Sequence, residues 1–240
     1  MESLSDIELY YSPHGIVRTT TKPDSINRED EIIIDGEDFA HVTRVMRHKV
    51  GDKLFVTDGK GNIYESVIKI IGNDSLTTGP VNTFRYENTK NNLFFCIPKL
   101  KNPDRFEFAL EKCIELGITN FIVYESKRTV SRGDKLIRWN KILVSAMKQS
   151  LRSYLPVLKN VSSLKEIFTF EGEKIGFEQK AENSQGWFKV LPSINYYFVF
   201  GPEGGLDDEE LGLFNPANLY NIAENRLRSE TAIIKAASLL

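Results

Sequence analysis

The sequence predicts an α/β protein: a mostly parallel sheet with helices on both faces, preceded by a small β-rich domain. Three observations predict it. From Leu93 onward, short apolar runs alternate with amphipathic helical stretches, the signature of strand–helix–strand units. Before that point, short strands are separated by tight turns rich in Gly, Asp and Asn, which favours a small barrel. Between the two, residues 82–92 form a polar bridge that includes Asn82, Thr83, Asn88, Thr89, Lys90, Asn91 and Asn92. The predicted boundary therefore divides the chain into domains 1–82 and 83–240.

In the first domain, Glu31 to Ile34 reads as a strand ending at Asp35-Gly36, and a brief helix is expected over Glu37 to Arg47. Lys53 to Thr57 follows a Gly51-Asp52 turn. Asp58-Gly59-Lys60-Gly61-Asn62 is a hairpin signal, and the alternating run Ile63 to Ile71 ends at Gly72-Asn73-Asp74.

In the second domain, Leu93 to Ile97 is an apolar strand. Asn102 is placed to cap a helix with Pro103 at its first position. Phe106, Leu110, Cys113 and Ile114 share one face of it, and Gly117 ends it. Phe121 to Tyr124 is the next strand. A long helix is expected from Lys135 to Arg152, with Leu136, Trp139, Leu143, Ala146 and Met147 inward and Arg138, Lys141, Lys148 and Arg152 on another face. Pro156 prevents its continuation. Ser163-Leu164-Lys165-Glu166 has the form of a capping box. Lys174 to Phe177 and Tyr196 to Phe200 are further strands, and Glu230 to Leu240 a final helix capped by Ser229.

Composition narrows the function. No apolar run reaches the length of a membrane span, and the start MESLSDIELYY lacks the basic and apolar parts of a secretion leader; the expected location is the cytoplasm. Cys96 and Cys113 are the only cysteines and lie far apart, so a disulfide framework is not expected. His14, His41 and His48 have no metal-ligand spacing, and no metal is expected. Net charge is -2, but its distribution is uneven. Segment 126–152 carries eight bases (Lys127, Arg128, Arg132, Lys135, Arg138, Lys141, Lys148, Arg152) against Asp134 alone. Segment 201–215 carries five acids and no base. The basic segment is either a solvated helix face or a nucleic-acid surface.

Two motifs bear on chemistry. Phe198 to Leu206 carries a buried strand into the turn Gly201-Pro202-Glu203-Gly204-Gly205, followed by the acids Asp207 to Glu210. The turn either joins strand to helix or brings backbone close to a ligand at a strand's carboxyl end. The acids argue against a polyphosphate, which wants positive potential; a neutral or cationic ligand, such as an adenosyl sulfonium, fits better. The second motif, Leu227-Arg228-Ser229-Glu230-Thr231-Ala232, is a capped helix start in its bland reading.

Together, GPEGG and LRSETA resemble the C-terminal half of the SPOUT methyltransferases, in particular the RsmE type. Lys112 to Gly117 is similar to that family's K-x-x-E-L-G, and Arg138-Trp139 with Ala146 to Arg152 to its RW…A-x-x-Q-S-x-R. His41 to Arg47 with Gly51-Asp52 is similar to its H-x-x-x-V-L-R…G-D. The matches run in order over nearly the whole chain. Ile222-Ala223 stands for the usual Leu-Gly, Asn225 for an arginine and Leu151 for a glycine.

The resemblance implies a PUA-like barrel followed by a trefoil-knotted SPOUT domain, acting as a homodimer. It implies S-adenosyl-L-methionine-dependent methylation of N3 of a uridine in 16S small-subunit ribosomal RNA. The cofactor would lie against Phe200, Gly201, Glu203, Gly204, Gly205, Ile222, Ala223, Leu227, Arg228, Ser229 and Thr231. Arg152 and Arg228 are the candidate cations for charge developing on the base, Gln149 a group to orient it, and Glu230 or Glu203 a general base. RNA would meet Arg44, Arg47, Lys49, Arg128, Arg138 and Lys148, with His48 and Lys53 in the first cluster. Two other readings stay open: a methyltransferase of this kind with another RNA target, and a non-catalytic RNA-binding assembly factor.

Overall fold

The computed structural model describes residues 7–17, 30–129, 135–184 and 190–240. The chain forms two compact units. One comprises Met1–Asn88 with Met147–Leu155, the other Thr89–Ala146 with Pro156–Leu240.

The first unit is a six-stranded sheet. Its strands are β1 (Leu9–Tyr11), β2 (Ile16–Val17), β3 (Glu31–Asp35), β4 (Lys53–Thr57), β5 (Asn62–Ile71) and β6 (Ser75–Arg85), in the order β1-β4-β5-β6-β3-β2. Helix α1 (Gly36–Ala40) runs into a π-helical turn, His41–Val45. Tyr10, Ile32, Ile34, Leu54, Val56, Ile68 and Leu76 bury into one core with Phe39 and Val42. Strands from the whole sheet can share a core only if the sheet curls around it, as a barrel does. Irregularities in β5 between Glu65 and Ser66 and between Ile68 and Ile70 supply the bend.

The Asp58–Asn62 hairpin forms as predicted. The Asp58 carboxylate accepts from the amides of Lys60 (2.7 Å) and Asn62 (3.2 Å), from Asn62 Nδ2 (2.7 Å) and from the Tyr64 hydroxyl (3.1 Å). Gly59 is required here: its φ is +69°, and a Cβ would sit 2.9 Å from that of Leu155. The later segment is stitched to this hairpin through Gly61 N–H to Ser153 O and Leu155 N–H to Gly59 O, each 2.9 Å.

The second unit is a seven-stranded sheet, parallel throughout. Its strands are β7 (Leu93–Pro98), β8 (Asn120–Tyr124), β9 (Val157–Asn160), β10 (Glu173–Phe177), β11 (Asn183–Ser184), β12 (Tyr196–Val199) and β13 (Leu219–Asn221), in the order β11-β13-β10-β12-β7-β8-β9. Successive side chains go to opposite faces. Phe95, Phe121 and Phe198 pack with α2 (Pro103–Glu115), α3 (Leu136–Gln149) and α6 (Ser229–Leu239). Cys96, Ile122, Tyr197 and Val199 pack with α4 (Leu164–Phe168) and with Leu206 and Phe214, which flank the short α5 (Asp208–Leu211). Both faces are thus buried, which is why these strands read as continuous apolar runs. Both cysteines are buried free thiols, and burial pushes each thiol up.

Helix α2 has the predicted ends. Asn102 accepts from the Asp104 amide at 2.8 Å, and Gly117 (φ +90°) closes the C-terminus with Gly117 N–H to Ile114 O and Ile118 N–H to Cys113 O.

Four local expectations are corrected. Helix α3 stops at Gln149 rather than Arg152, because Leu151 enters the left-handed region at φ +55°. Its amide bonds Lys148 O at 3.1 Å, and that of Arg152 bonds Met147 O at 2.9 Å. The capping box at Ser163 does not form; Glu166 Oε2 instead accepts from the amide and hydroxyl of Ser162, both at 2.9 Å. Ser229 is the first residue of α6, and its hydroxyl is engaged elsewhere. The boundary between 82 and 83 falls inside β6, because Asn82 still pairs with Glu65 across the β5–β6 ladder.

Among the described residues no helix is long and apolar enough to cross a membrane, and no group of three or more His, Cys, Asp or Glu is placed to hold a metal.

Candidate functional site

Strand β12 delivers Phe200 and the glycine turn to the carboxyl edge of the sheet. Phe200 is buried, and its carbonyl accepts from the Tyr124 hydroxyl at 2.6 Å. The turn closes through Gly205 N–H to Pro202 O at 2.8 Å, with Gly205 at φ +72°. Gly201 has little room for a side chain: a Cβ would press on backbone at Leu206 N, 3.0 Å away. Glu203 Oε1 accepts from the Lys101 amide at 3.0 Å.

The acids after the turn are anchors. Asp207 and Glu210 form a reciprocal capping box on α5. Glu210 is buried and also accepts from the Ser126 hydroxyl (3.0 Å) and the Lys127 amide (3.1 Å). Glu209 pairs with Lys127 and Lys165, and the two ammonium groups lower its carboxyl to about 2.

The second motif meets the first. The Ser229 hydroxyl donates to Gly201 O at 2.6 Å. Between the two lies a cavity of about 1060 Å³. Phe177 to Gln179 at the end of β10, Tyr220 to Ala223 at the end of β13, Phe200 to Leu206, Leu227 to Ser229 and Arg105 all contribute to its wall. Phe177 stacks on Phe200 with ring centres 4.9 Å apart, and Ala223 N–H is held by Asn221 Oδ1 at 3.0 Å.

Of the residues assigned to the cofactor from sequence, Phe200, Gly201, Glu203, Gly204, Gly205, Ile222, Ala223, Leu227, Arg228 and Ser229 line this cavity. Thr231 does not; it is exposed on the first turn of α6. Glu230 is buried beside the cavity and pairs with Arg105, Oε1 to Nε at 3.5 Å. Gln149 and Arg152 are exposed and belong to the first unit with Met147–Leu155.

The cations divide. Arg44, Arg47 and Lys49 are exposed on the first unit. Arg128 is committed to the glycine turn, with Nη1 donating to Gly204 O at 2.6 Å and Leu206 O at 3.3 Å. Arg138 pairs with Glu107 at 2.6 Å, and Lys148 pairs with the largely buried Asp38. Each of these three finds an acceptor distant in sequence. Arg132 and Asp134 lie outside the described residues.

Sequence reasoning missed Arg105 and the loop after β10. A cation in the first turn of a helix opposes the dipole, so Arg105 next to Asp104 was a readable sign of a tertiary partner. Glu178 and Gln179 follow a parallel strand's carboxyl end, where ligands bind in such sheets.

The RNA methyltransferase domain family matches residues 87–240. The chain belongs to this RNA methyltransferase family. The family's RNA methyltransferase PUA domain matches residues 34–80, within the barrel unit. Ribosomal RNA small subunit methyltransferase E of Bacillus subtilis is 24% identical over 225 residues, covering 86% of this chain and 88% of that protein. The protein of the same name from Mesomycoplasma hyopneumoniae is 30% identical over 158 residues, covering 60% and 67%. A crystal structure of ribosomal RNA small subunit methyltransferase E from Neisseria gonorrhoeae, bound to S-adenosyl methionine, superposes with a TM-score of 0.80 at 22% identity, covering 97% of this chain and 96% of that one. The methyltransferase therefore shares that fold over both units.

Proposed function

We propose that this methyltransferase transfers the methyl group of S-adenosylmethionine to N3 of a uridine in 16S small-subunit ribosomal RNA. One observation carries the reading. The loops after β12 and before α6, joined by the Ser229–Gly201 hydrogen bond, line one cavity of about 1060 Å³. The names of the Bacillus and Mesomycoplasma relatives and the ligand of the Neisseria structure support it.

The residues present fit the cofactor. Phe177, Phe200, Leu206 and Ile222 offer an apolar wall for a purine, and the glycine turn offers backbone groups for its polar edge. The wall carries Glu178, Glu203 and Asp208 beside Arg105, Arg128, Lys180, Arg226 and Arg228, so the sulfonium and the carboxylate of the cofactor would each find opposite charge. When bound, S-adenosylmethionine supplies a methyl already activated on a sulfonium. The protein's contribution is then alignment and charge. Gly201, Gly204, Gly205, Ala223, Leu227 and Ser229 would hold the cofactor in the segment that the family resemblance ties into a trefoil knot. Arg228 would face charge developing on the base, while Gln149 and Arg152 would position the nucleotide. N3 lies on the pairing edge, so the uridine must be unpaired or flipped. Arg44, Arg47 and Lys49 would take RNA phosphates, and the functional form is a homodimer in the cytoplasm.

The test is methyl transfer to purified small ribosomal subunits and to naked RNA, with mass mapping of the product, beside calorimetry with S-adenosylmethionine. Labelling at uridine N3 supports the reading. Labelling on ribose, or only on transfer RNA, would overturn the target. Absence of cofactor binding by the folded protein would overturn the enzyme reading.

A further inference from the structure

Glu230, a candidate general base from sequence, is paired with Arg105, which has no role yet. Glu230 sits in the first turn of α6 and is 8% exposed. Its Oε1 lies 3.5 Å from Arg105 Nε, and its Oε2 is buried with no hydrogen-bond partner among the described residues. At 3.5 Å the contact is an ion pair rather than a formed hydrogen bond, so the buried carboxylate is incompletely satisfied. Such a group is costly unless something in the working state completes it. Arg105 lines the main cavity and also an outer recess of about 520 Å³ beside Lys101 and Glu203. Its terminal nitrogens make no hydrogen bond among the described residues.

We propose that Arg105 is the group that binds the carbonyl edge of the target base, and that Glu230 is a positioning residue acting through Arg105 rather than the general base. The inference rests on the proposed methyl transfer to uracil N3. As the N3 proton is lost to solvent, the N3 electron pair forms the new N–CH3 bond while the S–CH3 bond breaks with its pair going to sulfur. Negative charge spreads transiently over the carbonyl oxygens flanking N3. A guanidinium tethered at Nε by Glu230 offers a terminal nitrogen to one of those oxygens without reorganising, which leaves the N3 edge open to the methyl.

The alternative occupant of Arg105 is the permanent carboxylate of the cofactor. That anion is better served by Lys180 and Arg226, which line the same cavity and have no carboxylate partner among the described residues. Arg105 is already half-neutralised, which suits a charge that exists only during reaction.

The experiment uses full-length Arg105→Met, Arg105→Lys, Glu230→Gln and the double variant Arg105→Met/Glu230→Gln. S-adenosylmethionine affinity is read by calorimetry, and initial rates on small subunits are followed across pH. Arg105→Met should keep cofactor affinity within about twofold and lower kcat by about 100-fold. The loss should shrink as pH rises, because a base ionised by solvent needs less help. Arg105→Lys should recover part of the rate, which separates charge from folding. Glu230→Gln should cost less than Arg105→Met, and the double variant should be no worse than Arg105→Met, since both act along one line.

Multiplicative losses in the double variant would overturn the positioning role of Glu230. A collapse of cofactor affinity with kcat preserved would overturn the base-binding role of Arg105. Binding of a short uridine-containing RNA in the presence of S-adenosylhomocysteine gives a readout that does not need turnover. Wild type should bind several-fold tighter than Arg105→Met, and equal affinities would overturn the proposal. Wild-type protein that binds this RNA in an Arg105-dependent way yet methylates no small subunit would overturn the target assignment alone.

Discussion

The Ser229 hydroxyl donates to the carbonyl of Gly201 at 2.6 Å, across 28 residues of chain. It locks the start of α6 to the first residue of the glycine turn, so the two halves of the cavity wall keep one spacing. Replacing Ser229 by Ala leaves that partly buried carbonyl without its donor, a loss of about 1–2 kcal/mol. The expected outcome is cofactor affinity reduced about 5- to 30-fold with the fold retained, measured by calorimetry and thermal melting. Unchanged affinity would show that the wall does not depend on this bond.

Gly201→Ala tests the same wall by crowding. The added methyl would press on backbone at Leu206 N (3.0 Å) and Gly205 Cα (3.1 Å), neither of which is the free end of a side chain. The turn must open, and cofactor affinity should fall by more than about tenfold. Calorimetry on the purified variant checks it.

Arg128→Ala separates two roles for one cation. Because Arg128 holds Gly204 O and Leu206 O, its loss should weaken cofactor binding more than RNA binding. A phosphate contact would do the reverse and would reduce the salt slope of RNA affinity by about one. Parallel titrations with S-adenosylmethionine and with RNA over a range of salt decide between them.

Leu151→Gly should stabilise the protein. A leucine at φ +55° bears a steric cost of about 1–2 kcal/mol that glycine does not, while glycine loses about 0.5–1 kcal/mol more backbone entropy on folding. A net gain of up to about 1 kcal/mol should appear in urea unfolding, with Leu151→Ala giving none. A loss would mean that packing by the half-buried leucine outweighs the strain.

The pairing of Glu209 with Lys127 and Lys165 predicts an acid-limb effect. Its carboxyl titrates at about 2 in the folded chain against an ordinary 4.5. Unfolded protein therefore binds the proton first, and the stabilisation is present above pH 4.5 and lost as pH falls toward 2. The group is exposed, so the effect is small. Glu209→Gln should flatten the stability profile in that window and leave the slope near neutral pH unchanged, as read by denaturant midpoints.

What the sequence made legible was local. Asn102, Pro103 and Gly117 announce the ends of α2 because cap chemistry acts within a few residues. Burial of both sheet faces was visible in the apolar runs, and the glycine turn and LRSETA were both found. What stayed hidden is long-range. Ser229 resembles a cap, but its partner is Gly201. Arg128, Lys148 and Arg138 look free, yet their partners lie 76, 110 and 31 residues away. Charge patterning along a helix says nothing about carboxylates delivered by another element. Leu151 ended α3 early because a terminating conformation usually signalled by glycine is occupied here by leucine.

The hairpin at Asp58–Asn62 borrows strand partners from Ser153 and Leu155. The barrel is therefore not a cassette that could be cut out at Asn88 and moved. A fragment ending there would leave Gly59 O and Gly61 N–H facing water and would lack Lys148 opposite Asp38. Any lineage that exchanged its amino-terminal module would have had to exchange, or re-fit, nine residues from the middle of the methyltransferase half along with it.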